Sequence, residues 1–326
     1  MSERRLGGCN DRDHMRSTAA TGSLRFVVSR PRCDESCPER SDICAFQVKW
    51  SINPHMRVGA VQPRHAVRQH GTLVRTLRSL GATVLDVPFV HGAFDSVFSK
   101  DNAVVVERVD GKIEALLARP KHAERRVEQQ ARARALASLG VSVAGQARAP
   151  LEGGDVVVLP GARGAFLGHG FRSSTQAAED LERFLDRAVT CVELRDPHLY
   201  HLDMALSVLD DGTALVCDDA LTPEARRAVE RHPAIRAVVR VPREEAMRFG
   251  VNLVQVGRTI VWGADAPLTT RALRNHGYEV RRIALDQFHL AGGSAACLVS
   301  RVHCETMATI TDLETGIEPA PQSTAA

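Results

Sequence analysis

Four short segments carry side chains able to do chemistry: Val97-Phe98-Ser99-Lys100-Asp101, Leu151-Glu152-Gly153-Gly154-Asp155, Leu199-Tyr200-His201-Leu202-Asp203 and Ala291-Gly292-Gly293-Ser294-Ala295-Ala296-Cys297. Together they offer one thiol, one imidazole and several carboxylates. A thiol attacks near neutral pH only as its thiolate, which calls for a lowered pKa and a neighbouring histidine. Several carboxylates left unpaired in one cavity would be costly, so they imply a cationic ligand. A guanidinium suits paired acids, because its donors sit in a fixed planar fork. It is also a poor electrophile, stabilised by resonance. Thiolate attack at its central carbon would need carboxylates to hold it and a proton donor for the departing amine.

The elements that must position these residues repeat along the chain as strand, turn, strand, helix, strand. One copy reads 102–108, the Asp110-Gly111 turn, 113–118, a helix over 124–139 and a strand at 141–144. The second reads 155–159, a Gly161 turn, 165–168, a helix over 175–188 and 190–194. The third reads 204–209, the Asp211-Gly212 turn, 214–217, a helix over 222–232 and 237–241. The fourth reads 252–256, a Gly257 turn, 259–262, a helix over 267–276 and 279–284. A looser copy spans 24–87, with strands at 24–29 and 83–87, an insertion over 32–52 and a helix over 63–80. Asp-Gly between apolar runs marks a hairpin, since Gly accepts positive φ. The helices place apolar residues at i, i+3, i+4 and i+7, as in Leu181, Phe184, Leu185 and Ala188. Thr175 and Thr222 stand where N-caps belong.

Each copy is too small to bury a core alone, so the copies must close on one another. The expected fold is a single α/β domain, a five-bladed propeller of ββαβ units. An open Rossmann sheet would instead alternate single strands with helices and carry a Gly-x-Gly-x-x-Gly turn, which is missing from the sequence. In a closed ring the module starts converge near the axis, so all four reactive segments can face one cavity. The insertion at 32–52 is expected over one face of the ring.

The 326 residues carry 42 Lys+Arg against 39 Asp+Glu, with 44% hydrophobic, 25% charged and 4% aromatic content. This is the balance of a globular protein rather than a disordered one. A near-neutral charge and few aromatics argue against nucleic acid as a partner. Nor does an apolar run approach the ~18 residues of a membrane span, so no membrane partner is expected. The polar, Arg- and Ser-rich start at 1–22 and the end at 314–326 read as disordered tails around a domain at 23–313. Eight scattered cysteines and no apolar leader favour a cytoplasmic, reducing setting. Cys33, Cys37 and Cys44 form a cluster whose spacing matches no familiar zinc pattern, so no metal is expected there. Arg125, Arg126, Arg132 and Arg134, interleaved with Glu124 and Glu128, read as a solvated helix face.

The four reactive segments, in order, resemble the guanidino-group-modifying enzymes of the pentein superfamily: arginine deiminases, dimethylarginine dimethylaminohydrolases and amidinotransferases. The Glu-Gly-Gly-Asp, His-x-Asp and Gly-Gly-x(3)-Cys elements carry the likeness, which covers about residues 24–302. Such enzymes share a five-bladed ββαβ propeller. The resemblance implies Cys297 as nucleophile, His201 as general acid and base, and Glu152 as the carboxylate completing that set. It implies Asp101 and Asp203 as the acids that bind guanidinium, and Arg125 and Arg172 as ligands of a substrate carboxylate. His198 is the competing histidine. Asp155 reads as a turn or supporting residue, and His303 with Cys304 as an incidental pair past the closing strand.

The implied reaction is covalent. Attack by Cys297 gives an amidino-thioether, His201 protonates the leaving amine, and water completes a ureido product such as citrulline. No metal or organic cofactor is required, and the partner is a small guanidino compound, arginine or a methylated arginine. An amine in place of water would make the same site an amidinotransferase. A non-catalytic binding role, found elsewhere among penteins, would not need the intact Cys, His and Glu. Subfamily features conflict. Lys100 stands where deiminases and amidinotransferases tend to carry Arg and dimethylarginine hydrolases Glu, and Ala296 stands where deiminases carry Arg. Asp203 is usual in deiminases and amidinotransferases rather than in dimethylarginine hydrolases. A homodimer is compatible with this reading.

Overall fold

The computed structural model describes residues 24–34, 37 and 42–305. Within them the short apolar runs form strands and the 3.6-periodic runs form helices. The chain begins with β1 (Arg25–Ser29), α1 (Pro63–Ser79) and β2 (Thr83–Val87). Next come β3 (Ala103–Glu107), β4 (Ile113–Leu117), α2 (Ala123–Arg126), α3 (Glu128–Ser138) and β5 (Ser142–Gln146). The third group is β6 (Val156–Val158), β7 (Ala165–His169), α4 (Ala178–Leu185) and β8 (Val189–Glu193). The fourth is β9 (Leu206–Val208), β10 (Thr213–Val216), α5 (Pro223–Glu230) and β11 (Ala237–Arg240). After the short α6 (Arg243–Ala246) the chain forms β12 (Leu253–Val256), β13 (Thr259–Trp262), α7 (Pro267–Asn275) and β14 (Glu279–Arg282). The short α8 (Asp286–His289) and β15 (Val299–Cys304) end the described order.

Every unit has one plan: an antiparallel hairpin, a helix, then a strand parallel to the hairpin's second member. It holds for β3-β4-β5, β6-β7-β8, β9-β10-β11 and β12-β13-β14. Gly111 and Gly212 turn two of the hairpins at φ 82° and 83°, a region that penalises any Cβ. The fifth unit is assembled from both ends of the described chain. β15 lies antiparallel to β1, and β1 parallel to β2. β15 also runs parallel to β3, so the first and last units merge into one sheet ordered β2-β1-β15-β3-β4-β5. The ring is the five-bladed ββαβ propeller expected from the repeat. The looser copy lacked its hairpin partner because that partner is β15, more than two hundred residues away. His303 and Cys304 therefore sit on the closing strand itself, opposite Val106 and Glu107, rather than past it.

The inner and middle strands, such as β6, β10, β12 and β13, are buried on both faces while the outer β5 and β14 are largely open, so the core occupies the sectors between blades. Phe166, Leu206, Leu215 and Trp262 fill one sector, and Phe26, Phe46 and Phe288 another. Phe46 stacks on Phe288 at 5.0 Å between centroids. No helix among the described residues is long and apolar enough to cross a membrane. The tails expected at 1–22 and 314–326 lie outside the described residues.

Two local expectations change. The single helix expected over 124–139 breaks at Val127 into α2 and α3, and its arginine face is only partly solvated: Arg126 and Arg134 are exposed as expected, but their neighbours are not. Arg125, Glu128 and Arg132 are all at most 3% exposed. Arg125 Nε donates to Glu128 Oε1 at 2.8 Å, Asn102 Nδ2 to Glu128 Oε2 at 2.6 Å, and Arg132 Nε to Asn102 Oδ1 at 2.7 Å. Alternating charge marks a surface only when water is the partner; Arg125, Glu128 and Arg132 have buried partners instead. The second change concerns caps. Thr222 does cap α5, its hydroxyl accepting from Ala225 N at 3.2 Å, whereas Thr175 lies inside a 3-10 turn (Thr175–Ala177) and caps nothing. Thr222→Ala should cost about 1 kcal/mol in equilibrium denaturation. Thr175→Ala should stay within about 0.5 kcal/mol of the parent. Equal losses from both would remove the cap from this account.

Candidate active site

The residues at the heads of the inner strands converge. Short 3-10 turns precede three of these strands: Ser99–Asn102 before β3, Gly153–Asp155 before β6 and Leu202–Met204 before β9. Glu152 and His201 are the extended residues entering the second and third turns. Cys297 lies just before β15, and Lys100 N donates to its carbonyl at 3.2 Å, so ring closure brings the first and last segments together. The Gly-Gly pair serves close approach. A Cβ on Gly154 would stand 2.6 Å from His201 Nδ1 and 2.7 Å from Asp101 Oδ1. Asp155 stitches the segments, accepting from Leu202 N and Ser173 N at 3.0 Å each. That is the supporting role expected of it.

His201, Glu152 and Arg172 form a buried chain. Glu152 Oε2 accepts from Arg172 NH1 at 2.9 Å and lies 2.9 Å from His201 Nε2, and Arg172 stacks 4.6 Å over the Tyr200 ring. Burial disfavours the charged imidazole, but Asp101, Asp155 and Glu152 outweigh it and raise the His201 pKa to about 9. Glu152 is held well below the usual carboxylate range: burial opposes this, but His201 and Arg172 prevail. His198 is turned away, half-exposed and 3.3 Å from Asp196.

The acids expected to meet a ligand cation already hold cations of the chain. Asp101 Oδ2 accepts from Arg125 NH1 at 2.5 Å, and its Oδ1 from Gly154 N at 3.0 Å. Asp203 Oδ2 accepts from Lys100 Nζ at 2.9 Å, while its Oδ1 is buried with no donor among the described residues. Arg125, expected at a substrate carboxylate, faces Asp101, Glu128 and the Asp95 carbonyl. Arg172 faces Glu152 and the Ile52 carbonyl. Both arginines still line the pocket shared by Asp101, His201 and Cys297.

Cys297 Sγ lies 3.9 Å from Asp203 Oδ2 and accepts from Asn252 Nδ2 at 3.2 Å. Burial, Asp203 and Asp101 push its pKa well above the ordinary thiol value. The sequence expectation of a lowered pKa therefore does not hold for the unliganded site, because the carboxylates that suit a cationic ligand repel a thiolate. Sequence reading missed two residues here. Asn252 heads β12 as the other segments head their strands, so the repeat itself pointed to it. Asp95 is a carboxylate in an apolar stretch; it takes Trp50 Nε1 at 2.7 Å on Oδ2, leaves Oδ1 with no donor among the described residues, and is raised by burial to about 6. Ile52, at the end of the insertion, and Asn53 and Met56 just after it line this pocket.

Residues 41–304 match the family described as N,N dimethylarginine dimethylhydrolase, eukaryotic. The chain belongs to this family. An N(G),N(G)-dimethylarginine dimethylaminohydrolase of Mycobacterium tuberculosis is 30% identical over 261 residues, spanning 79% of this chain and 83% of the relative. The bifunctional arginine dihydrolase/ornithine cyclodeaminase ArgZ of Synechocystis is 28% identical over 79% of this chain, though over only 36% of ArgZ. The solved N-terminal domain of ArgZ, as a mutant bound to substrate, superposes with a TM-score of 0.78 at 26% identity, covering 87% of this chain and all of that one (100%). A dimethylargininase from Pseudomonas aeruginosa complexed with citrulline shares the fold at a TM-score of 0.65 and 18% identity. This family member is accordingly a pentein-superfamily hydrolase acting on guanidino groups.

In this dimethylarginine hydrolase family member, the His201 imidazole should titrate near pH 9 by NMR. Glu152→Gln should lower that midpoint, because the carboxylate stabilises the imidazolium. A parent midpoint near the model-peptide value of about 6.5 would contradict the geometry.

Proposed function

We propose that this enzyme is a dimethylargininase-type hydrolase, converting an arginine-like substrate to citrulline and an amine through a covalent intermediate on Cys297. The carrying observation is that two buried carboxylate oxygens, Asp95 Oδ1 and Asp203 Oδ1, lack a donor among the described residues beside the pocket of Cys297 and His201. A buried acceptor without a donor costs about 1–3 kcal/mol. A guanidinium brings N–H donors for both and a positive charge that opposes their repulsion of the thiolate.

In this reading the substrate cation itself lowers the Cys297 pKa, so that the thiol gives up its proton to solvent as the substrate binds, and Asn252 Nδ2 supports the sulfur as charge forms. Cys297 attacks the central carbon, and protonated His201 gives its proton to the departing amine. The neutral imidazole then takes a proton from water, whose oxygen adds to the amidino-thioether. Collapse restores the thiolate and releases the ureido product. Glu152, gripped by Arg172, keeps the imidazole charged and oriented; Arg125 holds Asp101. Arg172 Nε, outside these contacts, is assigned to the substrate carboxylate.

A second reading, unmethylated arginine as substrate, is favoured by Asp203, whose open oxygen beside the thiol suits an N–H donor that methylation would remove. Mass spectrometry of products from arginine, dimethylarginine and glycine offered together separates these readings. Citrulline is expected, with the ratio of kcat/KM naming the preferred guanidine. Guanidinoacetate would mean amidino transfer and overturn hydrolysis. Cys297→Ala should lower turnover about 10⁴-fold or more without unfolding, and retained activity would sink the mechanism. The kcat/KM profile should decline above about pH 9 as His201 loses its proton. Asp203→Asn should cost roughly 10–100-fold in kcat/KM for arginine.

A further inference from the structure

Outside the guanidino site, three thiols and an imidazole that the reaction does not use converge on one point. Cys33, Cys37 and Cys44 come from the insertion between β1 and α1, and His91 from the loop after β2. From His91 Nδ1 the sulfurs lie at 3.2 Å (Cys44), 3.9 Å (Cys37) and 4.0 Å (Cys33), and Cys37 Sγ is 3.5 Å from Cys44 Sγ. All four atoms lie within 4.8 Å of one another. With Zn–S near 2.3 Å and Zn–N near 2.0–2.1 Å, the edges of a tetrahedral S₃N site come to about 3.6–3.8 Å. The observed separations bracket that range.

We propose that Cys33, Cys37, Cys44 and His91 bind one Zn²⁺ as a structural Cys₃His site. Thiolate and imidazole donors in a tetrahedron select zinc among common divalent ions, and four protein ligands leave no position open for water. The arrangement is set by backbone pairing. Cys33 N donates to the Cys44 carbonyl at 2.8 Å, Phe46 N to Pro31 at 2.8 Å, and Cys37 N to Asp34 at 3.1 Å. Gly92 N donates to the Ile43 carbonyl at 3.1 Å, which lays the His91 loop beside Cys44. A disulfide explains less. It would join two sulfurs at about 2.05 Å, and it gives no reason for the third sulfur and the imidazole to join them.

The ion would fasten two walls of the catalytic pocket to each other. Beyond Cys44 the chain continues through Trp50, bonded to Asp95, to Ile52, Asn53 and Met56, which line the pocket. Beyond His91 the other strand of chain leads to Asp95 and Phe98 on the same pocket. No short motif betrays the site, since His91 lies 47 residues from Cys44.

Metal analysis of the full-length enzyme, purified without chelator, tests the proposal. One zinc per chain is expected. Cys37→Ala and His91→Ala should each lower zinc occupancy about tenfold or more at fixed free zinc. Cys297→Ala should keep the full ion, which separates this site from capture by the candidate nucleophile. Cobalt-loaded parent and Cys297→Ala proteins should share the absorption of tetrahedral, thiolate-bound Co²⁺. Should a cluster variant fail to fold, the parent decides: a mercurial thiol reagent should release one zinc per chain to a chromogenic chelator. A reduced parent that neither carries nor takes up zinc overturns the proposal. A Cys37–Cys44 disulfide in non-reducing peptide maps does so too, as does loss of the ion in Cys297→Ala.

Discussion

Burying several carboxylates at the axis of a propeller is tolerable only when each faces positive charge, and most of the architecture around the site follows from that requirement. Asp101 faces Arg125, Glu152 faces Arg172 and His201, and Asp203 faces Lys100. Glu152–His201 and Asp203–Lys100 join different blades and exist only once the ring has closed, whereas Asp101–Arg125 and Glu152–Arg172 each form within one blade. Arg125 is itself held by Glu128, which Asn102 and Arg132 hold in turn. An ion pair at the surface would contribute little, but these are shielded from water, and removing one member would strand its partner.

The same constraint sets the charge of the nucleophile and of its neighbour. Acids placed for a cationic ligand raise the pKa of the neighbouring Cys297 and His201 together. The first effect keeps the thiol protonated and the second keeps the imidazole charged. A bound guanidinium changes the first balance without undoing the second, because it adds charge between the acids and the sulfur while Glu152 still grips the ring. The proposed chemistry thus couples nucleophile activation to the arrival of the substrate.

How much was legible in the sequence depended on the range of each interaction. Asp110-Gly111 and Asp211-Gly212 marked hairpins because the φ demand of a tight turn is local. The periodic apolar runs marked helices, and the repetition marked a closed ring. What failed was non-local. The closing strand β15 mixes polar Ser300, Arg301 and His303 with apolar residues, so its pairing with β1 and β3 left no pattern. Arg125, Glu128 and Arg132 looked like a solvated face because alternating charge does not say whether the partner is water or another side chain. The cysteine cluster lacked a fourth ligand for the same reason: His91 reaches it only through the pairing of two loops.

By itself, then, the amino-acid order determined the ββαβ unit, its five-fold repetition and the kinds of side chain at each blade's start, since turns and periodicity act over a few residues. Cys297, His201, Glu152, Asp101 and Asp203 could be gathered as candidates from sequence because the repeat carries them to equivalent places. Only the tertiary structure decided which acid meets which cation, that Asn252 and Asp95 join the site, and that Cys297 rests as a protonated thiol. Those outcomes depend on distance and burial. Both arise when blades distant in sequence pack around one axis.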